Sequence, residues 1–191
     1  MIVCGICGGV DKKPILKCQY WPKNPSKCCT KLKPVLRPLA DRDGKTVFCH
    51  NDALLGNILV TAGGQTRLID YEYAGVNYRE YDIANHFAEF VGVGDPATGF
   101  LDYDKHYPSP QFQLKWIKEY LGADVSSDSE AEDLQRLVDK FSPLPNLVWG
   151  VWSLVQAKHS AIDFDFLDYA RQRFNFYQKR KTLVFGDDNL E

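Results

Sequence analysis

From Tyr78 onward, the apolar residues of the chain are spaced as they are in amphipathic helices. Between Tyr78 and Val91 they recur at positions i, i+3, i+4 and i+7, which places them on one face of a helix. These residues are Ala84, Phe87, Ala88 and Val91. The opposite stripe is polar and carries Asp82, Asn85, His86 and Glu89. The pattern predicts a helix over this segment with one buried face.

Two further helices are predicted from their start signals. Ser109-Pro110 is a typical helix start, and the helix that it opens runs to Leu121. The spacing Ser127-x-x-Glu130 is a capping box, and it opens a helix whose apolar face ends at Phe141.

Two last helices are predicted near the C-terminus. The segment from Leu144 to Ala161 is apolar on nearly every side, which is typical of a buried helix. After it, Asp163 or Asp165 caps a helix that runs to about Lys179.

Three short β runs precede the helices, at Thr46–Cys49, 57–61 and 66–71. Ala62-Gly63-Gly64-Gln65 is a tight connection that joins the last two runs into a hairpin. The sequence therefore predicts an α+β fold that is mainly helical, with a small β-hairpin set into it.

The first 35 residues differ from the rest of the chain. Their apolar residues follow neither the helical nor the strand period, and they contain four prolines. They also hold seven Lys and one Asp, together with five of the six cysteines. We expect residues 1–35 to be an irregular Cys/Lys-rich extension of unknown origin. Residues 36–185 are then the folded domain, and residues 186–191 a disordered tail.

The clustered cysteines allow a zinc site, because Cys4-x-x-Cys7 has the spacing of two zinc ligands. The other three cysteines of the extension give no second clean pair, and the adjacent Cys28-Cys29 suits one tetrahedral site poorly. Zinc is therefore the less favoured interpretation. A disulfide framework is also disfavoured, since Cys49 is the sole cysteine outside the extension.

Length and charge narrow the class of protein. The 191 residues are 45% hydrophobic, enough for one good core, and the net charge of −2 gives no reason to expect nucleic acid as a partner. The acidic balance beyond the extension fits a cation-binding domain or, more commonly, a solvated acidic surface. No signal peptide is recognisable, and the longest uncharged stretch, from Ser142 to Ala157, is too short to span a membrane. We expect a cytoplasmic protein.

The most specific chemical signal is the spacing of Asp52, Asn57 and Asp70. An Asp followed five positions later by an Asn, and then by an Asp at the end of the next apolar strand, is the pattern of a kinase catalytic loop. Asp52 is the candidate catalytic base, and Asn57 and Asp70 are candidate Mg²⁺ ligands that hold the phosphates of ATP. His50 joins the candidate catalytic set as a scaffold for the loop rather than as an acid or base. Simple turn formation by Asp52 and Asn57 is the alternative.

Five blocks, in order along the chain, resemble the choline/ethanolamine kinase family. They are residues 50–52, 69–75, 81–87, 149–158 and 162–167. The resemblance runs from about Thr46 to Tyr177 and implies a protein-kinase-like C-terminal lobe, in which the hairpin bears the catalytic and metal loops. It also implies ATP-dependent phosphorylation of the hydroxyl of a small amino alcohol, which for ethanolamine is a step of phosphatidylethanolamine biosynthesis.

The resemblance further implies the residues of an amino-alcohol pocket. They are Tyr73, Glu89, Trp149, Trp152, Phe164 and Tyr169. A carboxylate and aromatic faces together hold a substrate ammonium well. From the residues alone, a solvent-facing Glu89 and tryptophans that merely pack in a core are equally good interpretations.

Within the resembling family, ethanolamine is favoured over choline as the substrate. Leu54 stands where choline kinases usually carry Gln, and a primary ammonium donates hydrogen bonds to Glu89 that a trimethylammonium cannot. A choline kinase and a non-catalytic kinase-like lobe that acts as an interaction module remain alternatives. An aminoglycoside phosphotransferase is less well supported, because the 149–152 and 162–167 blocks resemble this family specifically. A homodimer is left open.

Nothing before Thr46 matches the N-terminal lobe of the family, which covers the phosphates with a loop and a lysine. We therefore expect the 191-residue chain on its own to show no measurable kinase activity. We also expect it to be marginally soluble or self-associated, because part of the apolar face between Leu144 and Ala161 would lack its cover.

Overall fold

The computed structural model describes residues 45–92, 99–122 and 127–186. The predicted extension over residues 1–35, with its cysteines, lies outside the described residues, and so do residues 187–191 of the predicted tail.

The predicted hairpin is confirmed. β2 (Ile58–Val60) and β3 (Thr66–Leu68) are antiparallel, with Ile58 opposite Leu68. Gly64, in the connection, has a φ of +76°, a left-handed conformation that glycine adopts without a steric penalty. β3 is shorter than the predicted run because Asp70 has a φ of +63°, which interrupts the extended backbone.

The first predicted strand is also present, but its partner was not predicted. β1 (Thr46–Cys49) pairs antiparallel with β4 (Gly75–Tyr78), and Cys49 lies opposite Gly75. Gly75 and Asn77, two of its four residues, are of types that are depleted in strands, so the local signal for β4 is mixed. Its pairing places the end of β1 beside the start of the first helix.

Six helices follow the strands within the described residues, and a 3₁₀ turn, Phe90–Gly92, extends the first of them. They are α1 (Arg79–Glu89), α2 (Tyr103–His106), α3 (Pro110–Leu121), α4 (Asp128–Phe141), α5 (Leu144–His159) and α6 (Phe166–Phe185). None of these helices is both long and apolar enough to cross a lipid bilayer.

Three of the predicted helices begin with the side-chain caps that the sequence indicated. Ser109, Ser127 and Asp165 accept hydrogen bonds from the backbone N–H groups of Phe112, Glu130 and Asp168. Of the two predicted candidates, Asp165 is therefore the cap of the last helix, which begins at Phe166. This helix also continues past Lys179 to Phe185, so its predicted end was wrong.

α4 packs against both α1 and α3, and these three helices enclose much of the apolar core. Their buried apolar residues are Ile83, Ala84, Phe87, Ala88, Ile117, Ala131, Leu134, Val138 and Phe141. The apolar face predicted for α1 is thus confirmed, and it anchors the helix that carries much of the candidate site.

α5 is not buried on all sides, contrary to the prediction. It packs on α6 and α1, while Val148 and Val155 remain 45% and 36% exposed. Its contact with α6 is close at Gly150, where an added Cβ would lie 2.7 Å from the ring of Phe174. The contacts with α6 and α1 therefore leave part of the apolar surface of α5, at Val148 and Val155, exposed in the described domain.

Candidate functional site

The loop after β1 is held by the side chain of Asp82 on α1. One carboxylate oxygen accepts a hydrogen bond from the N–H of His50 at 2.9 Å, and the other accepts from the N–H of Asn51 at 2.7 Å. Asn51 has a φ of +63°, a conformation that Asn adopts more readily than most residues. Asp52, the next residue, therefore projects from a loop that is fixed to the helix.

Asp52 and Asn57, which the sequence pairs only by spacing, are in contact. Nδ2 of Asn57 donates to the backbone oxygen of Asp52 at 2.9 Å and to its Oδ2 at 3.1 Å. Both side chains are buried. Among the described residues no hydrogen bond engages Oδ1 of Asn57, so this oxygen remains available to a metal ion.

The environment of Asp52 changes its acidity. Burial, and after it the nearby negative charge of Glu89, raise the pKa of Asp52 to about 6. A carboxyl group with this pKa is mainly ionised at neutral pH and is a stronger base than an ordinary Asp. Both properties suit a group that accepts a proton during catalysis.

His50 connects the loop of Asp52 to the loop of Asp70. Its Nε2 lies 2.9 Å from the backbone oxygen of Ile69. Because a carbonyl can only accept, Nε2 carries the proton and donates it. The N–H of Ile69 in turn donates to the backbone oxygen of Asn57 at 3.0 Å. These bonds support the scaffold role of His50 and hold the exposed Asp70 next to a fixed backbone.

Three residues of the predicted pocket, Tyr73, Trp149 and Trp152, are in mutual contact. The ring of Trp149 is 5.5 Å from that of Tyr73 and 5.6 Å from that of Trp152, both edge to face. The hydroxyl of Tyr73 accepts a hydrogen bond from Nε1 of Trp152 at 3.0 Å. Edge-to-face contacts of this kind hold aromatic rings in defined orientations.

The other two aromatic residues of the prediction join the same group. Phe164 is 5.7 Å from Tyr169 between ring centroids. Phe166 was not selected from the sequence, yet it bridges the two parts, 4.8 Å from Phe164 and 6.0 Å from Trp152. The structure thus brings all five predicted aromatic residues into one continuous chain of ring contacts.

Asn85 joins the aromatic chain to the catalytic loop. Its Nδ2 donates to the backbone oxygen of Asn51 at 2.9 Å, and its Oδ1 accepts from Nε1 of Trp149 at 2.7 Å. Asn51 also donates from its side chain to the backbone oxygen of Tyr73 at 2.9 Å. The loop and the aromatic residues therefore form one hydrogen-bonded unit around a fully buried amide.

Replacing Asn85 by Ala should destabilise this unit. We expect Asn85→Ala to lower the free energy of unfolding by about 2–3 kcal/mol, because it leaves a backbone carbonyl and an indole N–H without partners. Denaturant unfolding measures this change. Asn175→Ala, on the exposed face of α6, is the matched control and should stay within about 0.5 kcal/mol of the parent. Equal losses in the two variants contradict the role given to Asn85.

Glu89 is paired with a buried arginine. Its side chain is 16% exposed, and its Oε1 accepts from Nη2 of Arg173 at 3.0 Å. Arg173, on α6, also donates from Nε to the hydroxyl of Tyr169 at 3.0 Å. The interpretation of Glu89 as a solvent-facing residue is therefore wrong.

Besides Phe166, three polar residues of the helices contact the predicted site and were not selected from the sequence. They are Asp82, Asn85 and Arg173. The sequence carried a signal for Asp82 and Asn85. Both belong to the polar stripe of α1, and this helix begins directly after the strand that pairs with β1. Arg173 carried no comparable signal, since its partner Glu89 lies 84 positions earlier in the chain.

Asn57 and Asp70 are the residues that could hold a metal ion. An amide oxygen and a carboxylate are hard oxygen donors, and Mg²⁺ needs only one or two of these because water and phosphate oxygens complete its shell. Over residues 45–92, 99–122 and 127–186, no three His, Cys, Asp or Glu side chains gather into a metal site of their own. The donor set therefore fits Mg²⁺ bound together with a phosphate ligand.

Comparison with known proteins gives consistent matches. Residues 23–178 match the family model for choline/ethanolamine kinase. Ethanolamine kinase 2 of Rattus norvegicus is 43% identical over 150 residues, which are 76% of this chain and 37% of that protein. Choline kinase alpha of Mus musculus is 39% identical over 157 residues, covering 72% of this chain and 35% of that protein.

A solved structure shows the same likeness. The ethanolamine kinase of Plasmodium vivax superposes with a TM-score of 0.70 at 33% identity, over 81% of this chain and 40% of that one. The chain therefore spans between 35% and 40% of the length of these three relatives.

Proposed function

The chain belongs to the choline/ethanolamine kinase family, and from this premise we propose that it supplies the catalytic loop and the amino-alcohol pocket of an ethanolamine kinase. The reaction is transfer of the γ-phosphoryl group of ATP to the hydroxyl of ethanolamine. One observation carries the proposal: the buried pair of Asp52 and Asn57 stands on a loop that Asn85 ties to the chain of aromatic rings. Catalytic and ammonium-binding groups are thus held in one unit.

In this proposal Asp52 accepts a hydrogen bond from the hydroxyl group of the alcohol. The hydroxyl oxygen forms a bond to the γ-phosphorus of ATP, the bond from that phosphorus to the β,γ-bridging oxygen breaks, and ADP leaves. The hydroxyl proton passes to Asp52 late in the transfer. The raised pKa of Asp52, about 6, supports this role because it strengthens the base without protonating it at neutral pH.

Asn57 and Asp70 would hold Mg²⁺ in the proposed enzyme. When bound there, the ion neutralises negative charge on the phosphates. Asn57 then has two tasks, because its Nδ2 hydrogen-bonds Asp52 while its Oδ1 faces no partner among the described residues. One side chain would therefore set the distance between the base and the metal ion.

The aromatic chain and Glu89 would hold the ammonium group of the substrate. The π-faces of Trp and Tyr attract cations, and a carboxylate adds charge and accepts hydrogen bonds. The negative charge of Glu89 is close enough to raise the pKa of Asp52. An ammonium beside Glu89 and a hydroxyl beside Asp52 would suit a short amino alcohol.

We propose that ethanolamine is preferred over choline as the substrate. A primary ammonium can donate a hydrogen bond to Oε2 of Glu89, which engages no described residue, whereas a trimethylammonium cannot. Leu54 in the catalytic loop, in place of a polar amide, points to the same order. The number of aromatic rings favours choline as the second candidate, because aromatic faces bind quaternary ammonium groups well.

A chimera tests the proposal, because the chain spans 37% of the length of the Rattus norvegicus relative. Residues 46–185 of this chain replace the matching segment of that protein, and the product is assayed with Mg-ATP and each alcohol. We expect phosphorylation of both, with a specificity constant about tenfold or more higher for ethanolamine. Competition between the two alcohols measures this ratio.

Leu54→Gln is expected to move the ratio towards choline, and Leu55→Gln, at the exposed neighbour in the same turn, is the matched control. A clear choline preference in the parent chimera reverses the proposed order of substrates. A folded chimera that phosphorylates neither alcohol overturns the proposed function.

A further inference from the structure

Arg173 lies at the centre of a polar cluster between helices, and its side chain is 1% exposed. It contacts Glu89 on α1 and Tyr169 on α6 at 3.0 Å each, and its Nη1 reaches Oδ1 of Asn146 on α5 at 3.4 Å. The same oxygen of Asn146 accepts from the hydroxyl of Tyr103 on α2. One guanidinium therefore links α1, α5 and α6, the three helices that carry most of the proposed ammonium pocket.

A structural role alone does not explain a charge in this position. Taking a guanidinium and a carboxylate out of water costs about as much as their attraction returns, so apolar side chains of similar volume are often equally stable. What the guanidinium adds is geometry, because its planar fork donates in fixed directions to several partners at once. The cluster is therefore better explained by the positions that it imposes than by the stability that it contributes.

The contacts of Arg173 fall on pocket residues or next to them. Its guanidinium carbon is 5.0 Å from the centre of the Tyr169 ring, so both the ring and the hydroxyl of that residue are held. Asn146 lies one helical turn before Trp149 on α5. Oε1 of Glu89 accepts a hydrogen bond from Arg173, and its Oε2 engages no hydrogen bond among the described residues.

We propose that Arg173 is a positioning residue of the amino-alcohol site, which orients the carboxylate of Glu89 and the ring of Tyr169 towards the ammonium group. By occupying one oxygen of Glu89, it directs the other to the substrate. This inference rests on the proposed function, because ethanolamine supplies the ammonium.

Binding of ethanolamine to the full 191-residue chain tests the inference, with ligand-observed NMR for the dissociation constant and a thermal melt for stability. Arg173→Met should raise the dissociation constant about tenfold, the usual cost of a lost charge-assisted hydrogen bond. Arg180→Met is the matched control. Arg180 lies on the same helix, pairs with Asp139 at 3.3 Å and sits 4.9 Å from the ring of Tyr107. The Arg180→Met variant should have a lower melting temperature and an unchanged dissociation constant for ethanolamine.

A second substitution separates positioning from structure. If Arg173 acts through Glu89, most of the effect of Arg173→Met on the dissociation constant disappears in a Glu89→Gln background, whereas a structural effect on melting persists. Arg173→Lys keeps the charge but cannot reach Glu89 and Tyr169 together, so we expect an intermediate dissociation constant. Should Arg173→Met fail to fold, Arg173→Lys carries the test, and parent-like binding in it overturns the inference.

The remaining outcomes are also decisive. Unchanged or tighter ethanolamine binding in folded Arg173→Met overturns the inference, because a positioning residue cannot be removed without loss of affinity. In that case the parent still binds ethanolamine, and the proposed function stands. A parent chain that does not bind ethanolamine overturns this inference, and a chimera that also phosphorylates neither alcohol overturns the proposed function with it.

Discussion

Asp52→Asn in the chimera is expected to lower turnover by about 10²–10⁴-fold, the range that a positioned general base contributes. The amide of Asn cannot accept the hydroxyl proton, so the loss falls on the transfer step. The fold should tolerate the change, because an amide oxygen at this position can still accept from Nδ2 of Asn57. Affinity for ATP should change little, since Asp52 acts on the alcohol rather than on the nucleotide.

Steady-state kinetics with varied ATP and ethanolamine measure both quantities. Asp104→Asn is a control for the charge alone, because Asp104 is an exposed residue of α2 paired with Lys179. The turnover of Asp104→Asn should stay within about twofold of that of the parent, as expected when a surface ion pair is lost. Turnover close to the parent in Asp52→Asn removes this residue from the proposed mechanism.

Most of the local structure could be predicted because its signals lie within a few residues of one another. Ser109 and Ser127 cap their helices through bonds to the third residue along, and the hairpin depends on a connection of five residues between Val60 and Thr66. The contact between Asp52 and Asn57 belongs to the same class, since five positions separate them. The spacing of the kinase pattern therefore predicts this contact as well as the chemistry.

The features that were missed depend on residues far apart in the chain. β4 is a strand because β1 pairs with it, and two of its four residues, Gly75 and Asn77, are of types that are depleted in strands. The ion pair of Glu89 and Arg173 joins the first and last long helices. Local periodicity cannot reveal such contacts, because it reports only which face of an element is apolar. For the same reason it predicted full burial for α5, although Val148 and Val155 are exposed in the described domain.

Substitution of the two proposed Mg²⁺ ligands is the second change for which we expect a large effect on turnover. We expect Asn57→Ala and Asp70→Asn in the chimera to raise the Mg²⁺ concentration for half-maximal turnover by about tenfold or more. Asn57→Ala removes an amide oxygen that Mg²⁺ would use, and Asp70→Asn removes the negative charge of the carboxylate ligand. Asn suits position 70 better than Ala does, because the backbone there has a φ of +63°. The Mg²⁺ dependence of turnover at saturating ATP measures the change.

The two variants should also differ from each other. Asn57→Ala removes the hydrogen bond to Asp52, so its turnover should stay low when Mg²⁺ is saturating, whereas Asp70→Asn should recover part of its turnover. Asp133→Asn, which removes an exposed carboxylate from α4, controls for a general loss of negative charge and should leave the Mg²⁺ requirement unchanged. A Mg²⁺ requirement equal to that of the parent in both variants would rule out Asn57 and Asp70 as ligands, and the ion would then have to be held by other residues of the enzyme.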